Sequence, residues 1–262
     1  MHDIIDTHAH LYVVNDPDTV LRFCAAQGLS DLILPGVDRS SNKTHLELCC
    51  ASVGKPWPRL HPALGLHPGN ITTAQETEDC LGHIRDNLAR AIAIGEIGLD
   101  YTYPAIRRDP GLQVLQREVF SSQLLLAADA GLPVIIHSRG AWRDCLQLTL
   151  AAGVSRAVFH WFSGPQDVLE DILSAGFLVS FSPALEFSAE CRLAARIAPL
   201  ERILLETDTP VAYPSAQGRR VPSTPVDIRR TLTALALLLE REQAEVLAVV
   251  NQNARNFFGI SP

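Results

Sequence analysis

Histidine and carboxylate residues stand at the ends of several short apolar runs, a placement suited to divalent-metal chemistry. The first run closes on Asp6-Thr7-His8-Ala9-His10. Strand side chains alternate with period two, so this spacing predicts Asp6, His8 and His10 on one face. Glu96 ends Ala93-Ile94-Gly95-Glu96, His137 ends Val134-Ile135-Ile136-His137, and His160 ends Val158-Phe159-His160. Glu206 and Asp208 share parity in Leu204-Leu205-Glu206-Thr207-Asp208. If these ends meet, the four imidazoles with Glu96 and Asp208 exceed one tetrahedral shell and point to two ions with a shared ligand. Glu96 suits the bridge because a carboxylate has two oxygens. The mixed donors suit Zn, Mn or Fe, while Mg favours oxygen, so the identity of the two divalent ions stays open. Structural zinc normally sits in a closed Cys and His shell, which makes a purely structural metal the weakest reading of this set.

The elements that must position these residues follow from hydrophobic patterning. Eight runs rich in Val, Ile, Leu or Ala recur near 3–8, 30–35, 60–66, 91–97, 133–137, 157–162, 177–182 and 203–208, each followed by a segment with helical signals. Between the sixth and seventh, Val168, Leu169, Ile172 and Leu173 share a helical face, Pro165 suits N1 and Gly176 suits C′. Further helices are predicted near 17–27, 41–53, 74–89, 112–130, 140–152, 188–197, 226–239 and 242–257. Eight strand–helix pairs predict an α/β fold, a single (β/α)8 TIM-type barrel in one domain spanning 1–262, whose strand C-termini converge on the active site. An open doubly wound sheet alternates in the same way, but no GxGxxG follows the first strand.

Composition narrows the function classes. A chain of 262 residues that is 47% apolar can bury a large core and is not disordered. Twenty-two Lys and Arg against 29 Asp and Glu give a formal charge of −7, so nucleic acid would have to be met by a local basic patch. Six scattered cysteines without CxxC spacing read as reduced core thiols. No run approaches a membrane span and no signal-type start is seen, so the expected location is the cytoplasm. Oligomeric state is not legible.

Other candidates are weaker. His67, in Gly65-Leu66-His67-Pro68, follows the third strand, where contact with substrate and a backbone hydrogen bond are equally good readings. His61 is expected in strand packing, and His2, His45 and His83 on the surface. Asp100 reads as a loop cap or a support for a ligand. Arg107, Arg108, Arg139, Arg143, Arg219 and Arg220 fall in or beside loops after strands four, five and eight, where they would neutralise phosphates or simply be solvated.

Six strings resemble the TatD-like metal-dependent hydrolases of the amidohydrolase superfamily: Ile5 to His10, Gly65 to Pro68, Gly95-Glu96-Ile97-Gly98-Leu99-Asp100, Pro133 to Arg139, His160-Trp161-Phe162-Ser163-Gly164, and Leu205-Glu206-Thr207-Asp208-Thr209-Pro210. They occur in family order over essentially the whole chain. The resemblance implies one ion on His8, His10, Glu96 and Asp208 and another on Glu96, His137 and His160. It also implies deoxyribonuclease activity for many members, some acting from the 3′ end, while some relatives act on aminoacyl-tRNA esters. The chain departs from the pattern in three places. Trp161 stands where Cys is common, Gly69 follows Pro68 where a second His is often found, and Arg220-Val221-Pro222 replaces Asn-x-Pro. Trp161 would stack on a base or plug the rim.

The expected chemistry is hydrolysis by water activated between two cations, with Asp208 holding an ion and taking the water's proton while Glu206 lies deeper as support. The substrate implied first is a phosphodiester at DNA ends, contacted by His67, Arg139, Trp161, Arg219 and Arg220. An ester or amide is the alternative, and a non-catalytic metal-binding subunit the weakest.

Overall fold

The computed structural model describes residues 3–215 and 218–261; His2 lies outside them. Eight parallel strands follow one another in order around the sheet: β1 (Ile4–Asp6), β2 (Leu29–Pro35), β3 (Arg59–Leu64), β4 (Ala93–Asp100), β5 (Val134–Arg139), β6 (Ala157–Phe159), β7 (Leu178–Phe181) and β8 (Ile203–Leu205). The last meets the first just past their ends. Thr7 N donates to Leu205 O at 3.0 Å, Asp208 N to His8 O at 2.9 Å and His10 N to Thr209 O at 2.8 Å. Those bonds make a (β/α)8 TIM-type barrel.

Outside run α1 (Pro17–Ala26), α2 (Arg39–Ala51), α3 (Ala74–Asn87), α4 (Pro104–Arg108), α5 (Pro110–Ala130), α6 (Trp142–Ala151), α7 (Gln166–Ser174), α8 (Ala189–Ile197), α9 (Ile228–Leu239) and α10 (Gln243–Phe258). Local chemistry sets their ends. Asp16 accepts from Thr19 N ahead of Pro17, and Asp38 and Ser41 form a reciprocal box at the start of α2. In α7, Val168, Leu169 and Ile172 are buried, Pro165 is the N-cap instead of N1, and the chain leaves through Gly176 at φ 83°. The short α4 and a hairpin of β9 (Ala212–Pro214) and β10 (Arg220–Pro222) lie in stretches the hydrophobic pattern left as loops. Both are too short to show a period.

The barrel's inner layer takes one residue from every strand: Ile5, Ile33, Ala63, Ala93, Ile135, Val158, Leu178 and Leu204. Ala254, Phe257, Phe258 and Ile260 join this cluster from the end of α10 and the residues after it. Burying such side chains contributes about 1.5–3 kcal/mol each and leaves the opposite, C-terminal rim to the polar residues. The remaining core lies between strands and helices.

Three local expectations are corrected. β1 ends at Asp6, with a bend at Thr7, so strand alternation does not carry through to His10. His45 is not on the surface but fully buried, because Ser41, Asn42, His45 and Leu46 form the inward face of α2. All six cysteines are free, but Cys50 is exposed instead of in the core.

Candidate metal centre

The C-terminal ends of five strands bring the six expected donors together, through local departures from regular strand geometry. Beyond Thr7 the chain turns His8 and His10 so that their Nε2 atoms face each other at 3.1 Å. Asp6 turns elsewhere. Its carboxylate accepts from Thr207 Oγ1 at 2.6 Å and from the amides of His8 and Thr207, tying the first strand to the eighth beneath the site. In β4 the register shifts between Ile94 and Ile97, which brings Glu96 inward although Ala93, three residues earlier, already faces the barrel interior. Gly98 makes this path possible, for at φ 149° a Cβ there would stand 1.9 Å from His137 O. Asp208 is also held at positive φ, 51°.

Glu96 is the hub. Its Oε2 lies 3.3 Å from His8 Nε2 and 3.4 Å from His10 Nε2, while Asp208 Oδ1 lies 3.6 and 3.3 Å from the same two nitrogens. Atoms so spaced at the corners of a tetrahedron lie about 2.0 Å from their common centre, the zinc distance of an imidazole nitrogen or carboxylate oxygen. The other oxygen, Oε1, lies 2.9 Å from both His137 Nδ1 and His160 Nε2, which are 3.4 Å apart. The donors therefore fit divalent metal as two sets that share one carboxylate through different oxygens.

Surrounding groups orient the rings. Each of the following bonds occupies one ring nitrogen with a proton and turns the other toward the centre, where it would ligate a metal ion on giving up its own proton. His10 Nδ1 donates to Pro35 O at 3.0 Å, His137 Nε2 to Asp100 Oδ2 at 3.1 Å and His160 Nδ1 to Glu206 Oε1 at 3.4 Å. Asp100 also accepts from Thr102, so it is at once a ring support and a loop cap. Glu206 is in turn held by the Ser180 hydroxyl. His8 Nδ1 alone has no partner among the described residues.

His67 differs. Its Nδ1 accepts from Gly69 N at 2.9 Å, so the proton resides on Nε2, which faces Glu96 Oε1 at 3.5 Å as a donor and not as a ligand. Burial and His137 push its pKa down to about 3, so the ring is neutral.

Electrostatics favour charge on the carboxylates. Burial alone raises Glu96, but the charge of His160 and hydrogen bonds from His10 and His137 hold it well below the usual range. Asp208 is lowered against burial by His10 and His8. His10 is correspondingly raised to about 10, with the carboxylate partners Asp208 and Glu96 outweighing burial. Metal entering this cluster therefore competes with protons.

The donors open into a cavity of about 810 Å³. Its wall includes Tyr12, His67, Tyr103, Trp161 and Phe187, and among the described residues Arg139 and Arg220 are its lining cations. Trp161 has φ 41° and its ring lies 5.7 Å from that of Tyr213. Arg139 has no protein partner among the described residues, whereas Arg220 Nη2 donates to Ala212 O at 2.6 Å. Arg143 is engaged by Asp167 and Asp171, and Arg107, Arg108 and Arg219 are exposed away from this wall. Tyr12, Tyr103 and Phe187 were missed from sequence because isolated aromatics in loops carry no periodic signal.

The model of the TatD-related DNase family matches residues 5–259. The chain belongs to that family. Among its relatives, the uncharacterized metal-dependent hydrolase TatD of Mycobacterium tuberculosis is 30% identical over 269 residues, covering 98% of each chain. Human deoxyribonuclease TATDN3 is 29% identical over 262 residues, covering 97% of this chain and 94% of its own. The solved structure of the TatD homologue YjjV from Escherichia coli K12 superposes with a TM-score of 0.86 at 26% identity, covering 98% of each chain. The protein is thus a metal-dependent hydrolase of the TatD family. Among the described residues, no helix is long and apolar enough to cross a membrane.

Proposed function

We propose that the protein is a phosphodiesterase acting on DNA ends with two divalent cations. The observation that carries this reading is Glu96, whose two oxygens address separate donor sets at the floor of one cavity. Cations held there would neutralise charge on a phosphoryl oxygen and make a bound water acidic enough to attack near neutral pH. Asp208, kept ionised beside His8 and His10, is placed to accept the water's proton. Arg139 presents an unpaired guanidinium to substrate oxygens, while His67 keeps its neutral N–H toward Glu96. The deoxyribonuclease name of the human relative supports DNA as the substrate.

A second reading, hydrolysis of a small carboxylic ester, is favoured by how few cations line the cavity. Turnover of single-stranded oligonucleotides, aminoacyl esters and simple phosphodiesters over a salt series, with metal constant, separates the two. With two arginines engaged, log K against log salt should slope at about −1.4 for a single strand. Ester turnover without phosphodiester cleavage under any metal would sink the nuclease reading. The whole of 1–262 is expected to act as one unit.

A further inference from the structure

The four tyrosines divide into two pairs. Tyr101 donates to Asp144 Oδ2 at 2.9 Å and Tyr213 to Thr207 O at 2.7 Å, so both hydroxyls are used within the protein. Tyr12 and Tyr103 line the cavity, and neither hydroxyl has a hydrogen-bond partner among the described residues. A phenol left unpaired on the wall of a reaction cavity is available to a ligand.

Tyr103 has a further particularity. A Cβ on Gly69 would stand 2.8 Å from Tyr103 Oη and 3.1 Å from His67 Nδ1. Gly69 is not among the positive-φ glycines, so this position demands space and not an unusual backbone. The third-strand motif lacks the second histidine at this point, and the tip of a tyrosine from the loop after β4 fills the volume. Gly69 also donates its N–H to His67, so one residue both fixes the His67 tautomer and makes room for the phenol.

We propose that the Tyr103 hydroxyl donates a hydrogen bond to a negatively charged oxygen of the substrate, on the His137 side of the centre, from the volume that Gly69 leaves open. The proposal rests on the hydrolytic reading, and requires only an oxygen that carries or gains charge, whether on phosphorus or on an ester carbon. Burial together with the Asp100 and Glu96 charges raises the phenol's pKa, so it is a neutral donor near pH 7. Arg139 lies on the same wall and supplies the cation. The donor atoms around Glu96 are ring nitrogens and carboxylate oxygens of other residues, so loss of the Tyr103 hydroxyl should leave metal loading intact.

The test is a cycle of Tyr103→Phe, Gly69→Ala and the double variant in the metal-loaded protein, read by metal content, melting temperature, turnover and affinity for inorganic phosphate. Tyr103→Phe should lower kcat/KM and phosphate affinity about 10- to 100-fold, as expected for a bond to a charged oxygen. Metal content and Tm should stay unchanged, since the hydroxyl bonds to nothing else in the protein. Gly69→Ala should cost about as much alone, but clearly less in the Tyr103→Phe background, where the 2.8 Å clash is gone and only the approach to the His67 ring at 3.1 Å remains. Unchanged phosphate affinity in Tyr103→Phe, or fully additive losses, would overturn the assignment. If esters turn over and phosphodiesters do not, a loss of ester turnover in Tyr103→Phe keeps the donor while the nuclease reading fails.

Discussion

The barrel interior holds two clusters of imidazole and carboxylate, and they behave in opposite ways. In the lower half, Asp31 of β2 accepts from Arg59 Nε at 2.8 Å and Nη2 at 2.9 Å and from His61 Nε2 at 2.7 Å. Asp31 shares parity with Ile33, and Arg59 and His61 with Ala63, so all three stand on the barrel-facing side of their strands, with Arg59 reaching solvent at the lower mouth. Here every carboxylate oxygen ends on a donor. At the upper rim the inner ring nitrogens instead converge on one another and on Glu96, with their outer protons engaged by Pro35 O, Asp100 and Glu206. The same side-chain types thus make a closed ion pair at one end and a cation-seeking centre at the other. Convergence of inner ring nitrogens, and not the presence of histidine beside acid, distinguishes the functional cluster.

The largest effect expected from breaking this contrast is at its hub. Glu96→Gln removes the charge and one anionic oxygen, so turnover should fall by about 10³-fold or more, and elemental analysis should find fewer than two ions per chain. Glu96→Asp, which keeps the charge with a shorter reach, should lose less. Full occupancy by two ions in the Gln variant would remove Glu96 as a bridge.

Chelation should abolish turnover and leave the far-ultraviolet circular dichroism near that of the loaded protein, because the inner layer and the core around it do not include the donors. Global unfolding on mild chelation would show that the upper cluster is structural too. Weakening a support should act more gently. Asp100→Asn or Glu206→Gln is expected to reduce metal affinity about 10- to 100-fold by freeing His137 or His160, as read by competition with a metal indicator.

The lower cluster should respond in stability alone. Burial pushes Asp31 up, but hydrogen bonds from His61 and Arg59 outweigh it and bring the pKa to about 2. A depressed carboxylate stabilises the fold above its unfolded pKa of about 3.9, and that contribution is lost as pH falls through the folded value. Asp31→Asn should therefore cost about 2 kcal/mol at pH 7, with the difference from the parent shrinking below about pH 4. Denaturant titrations across pH measure this, and metal content should not change. A fall in metal content would mean the two ends of the barrel are coupled.

Much of this organisation is legible in the sequence. Strands read as apolar runs because each is buried on both sides, and the donors stood out because His and Asp are costly at the end of such runs without partners. Periodicity failed where the backbone leaves its period. It predicted Asp6 beside His8 and His10, but the bend at Thr7 sends Asp6 to Thr207. The surface expectation for His45 rested instead on the exposure usual for an isolated histidine, although the ring lies 5.6 Å from that of Tyr12 with both nitrogens unpartnered among the described residues.

By itself, then, the sequence determined the barrel, the order of its elements and the donor types at the strand ends, because burial and period are local properties of the chain. Only the tertiary structure decided which ring nitrogens meet. The bend after Asp6 and the register shift around Glu96 arise from packing against neighbouring strands. So do the fixed tautomers of His10, His67, His137 and His160, which depend on partners both near and far along the chain. The space at Gly69 is likewise defined by Tyr103, on another loop. Such contacts are set in space, and no spacing in the sequence encodes them.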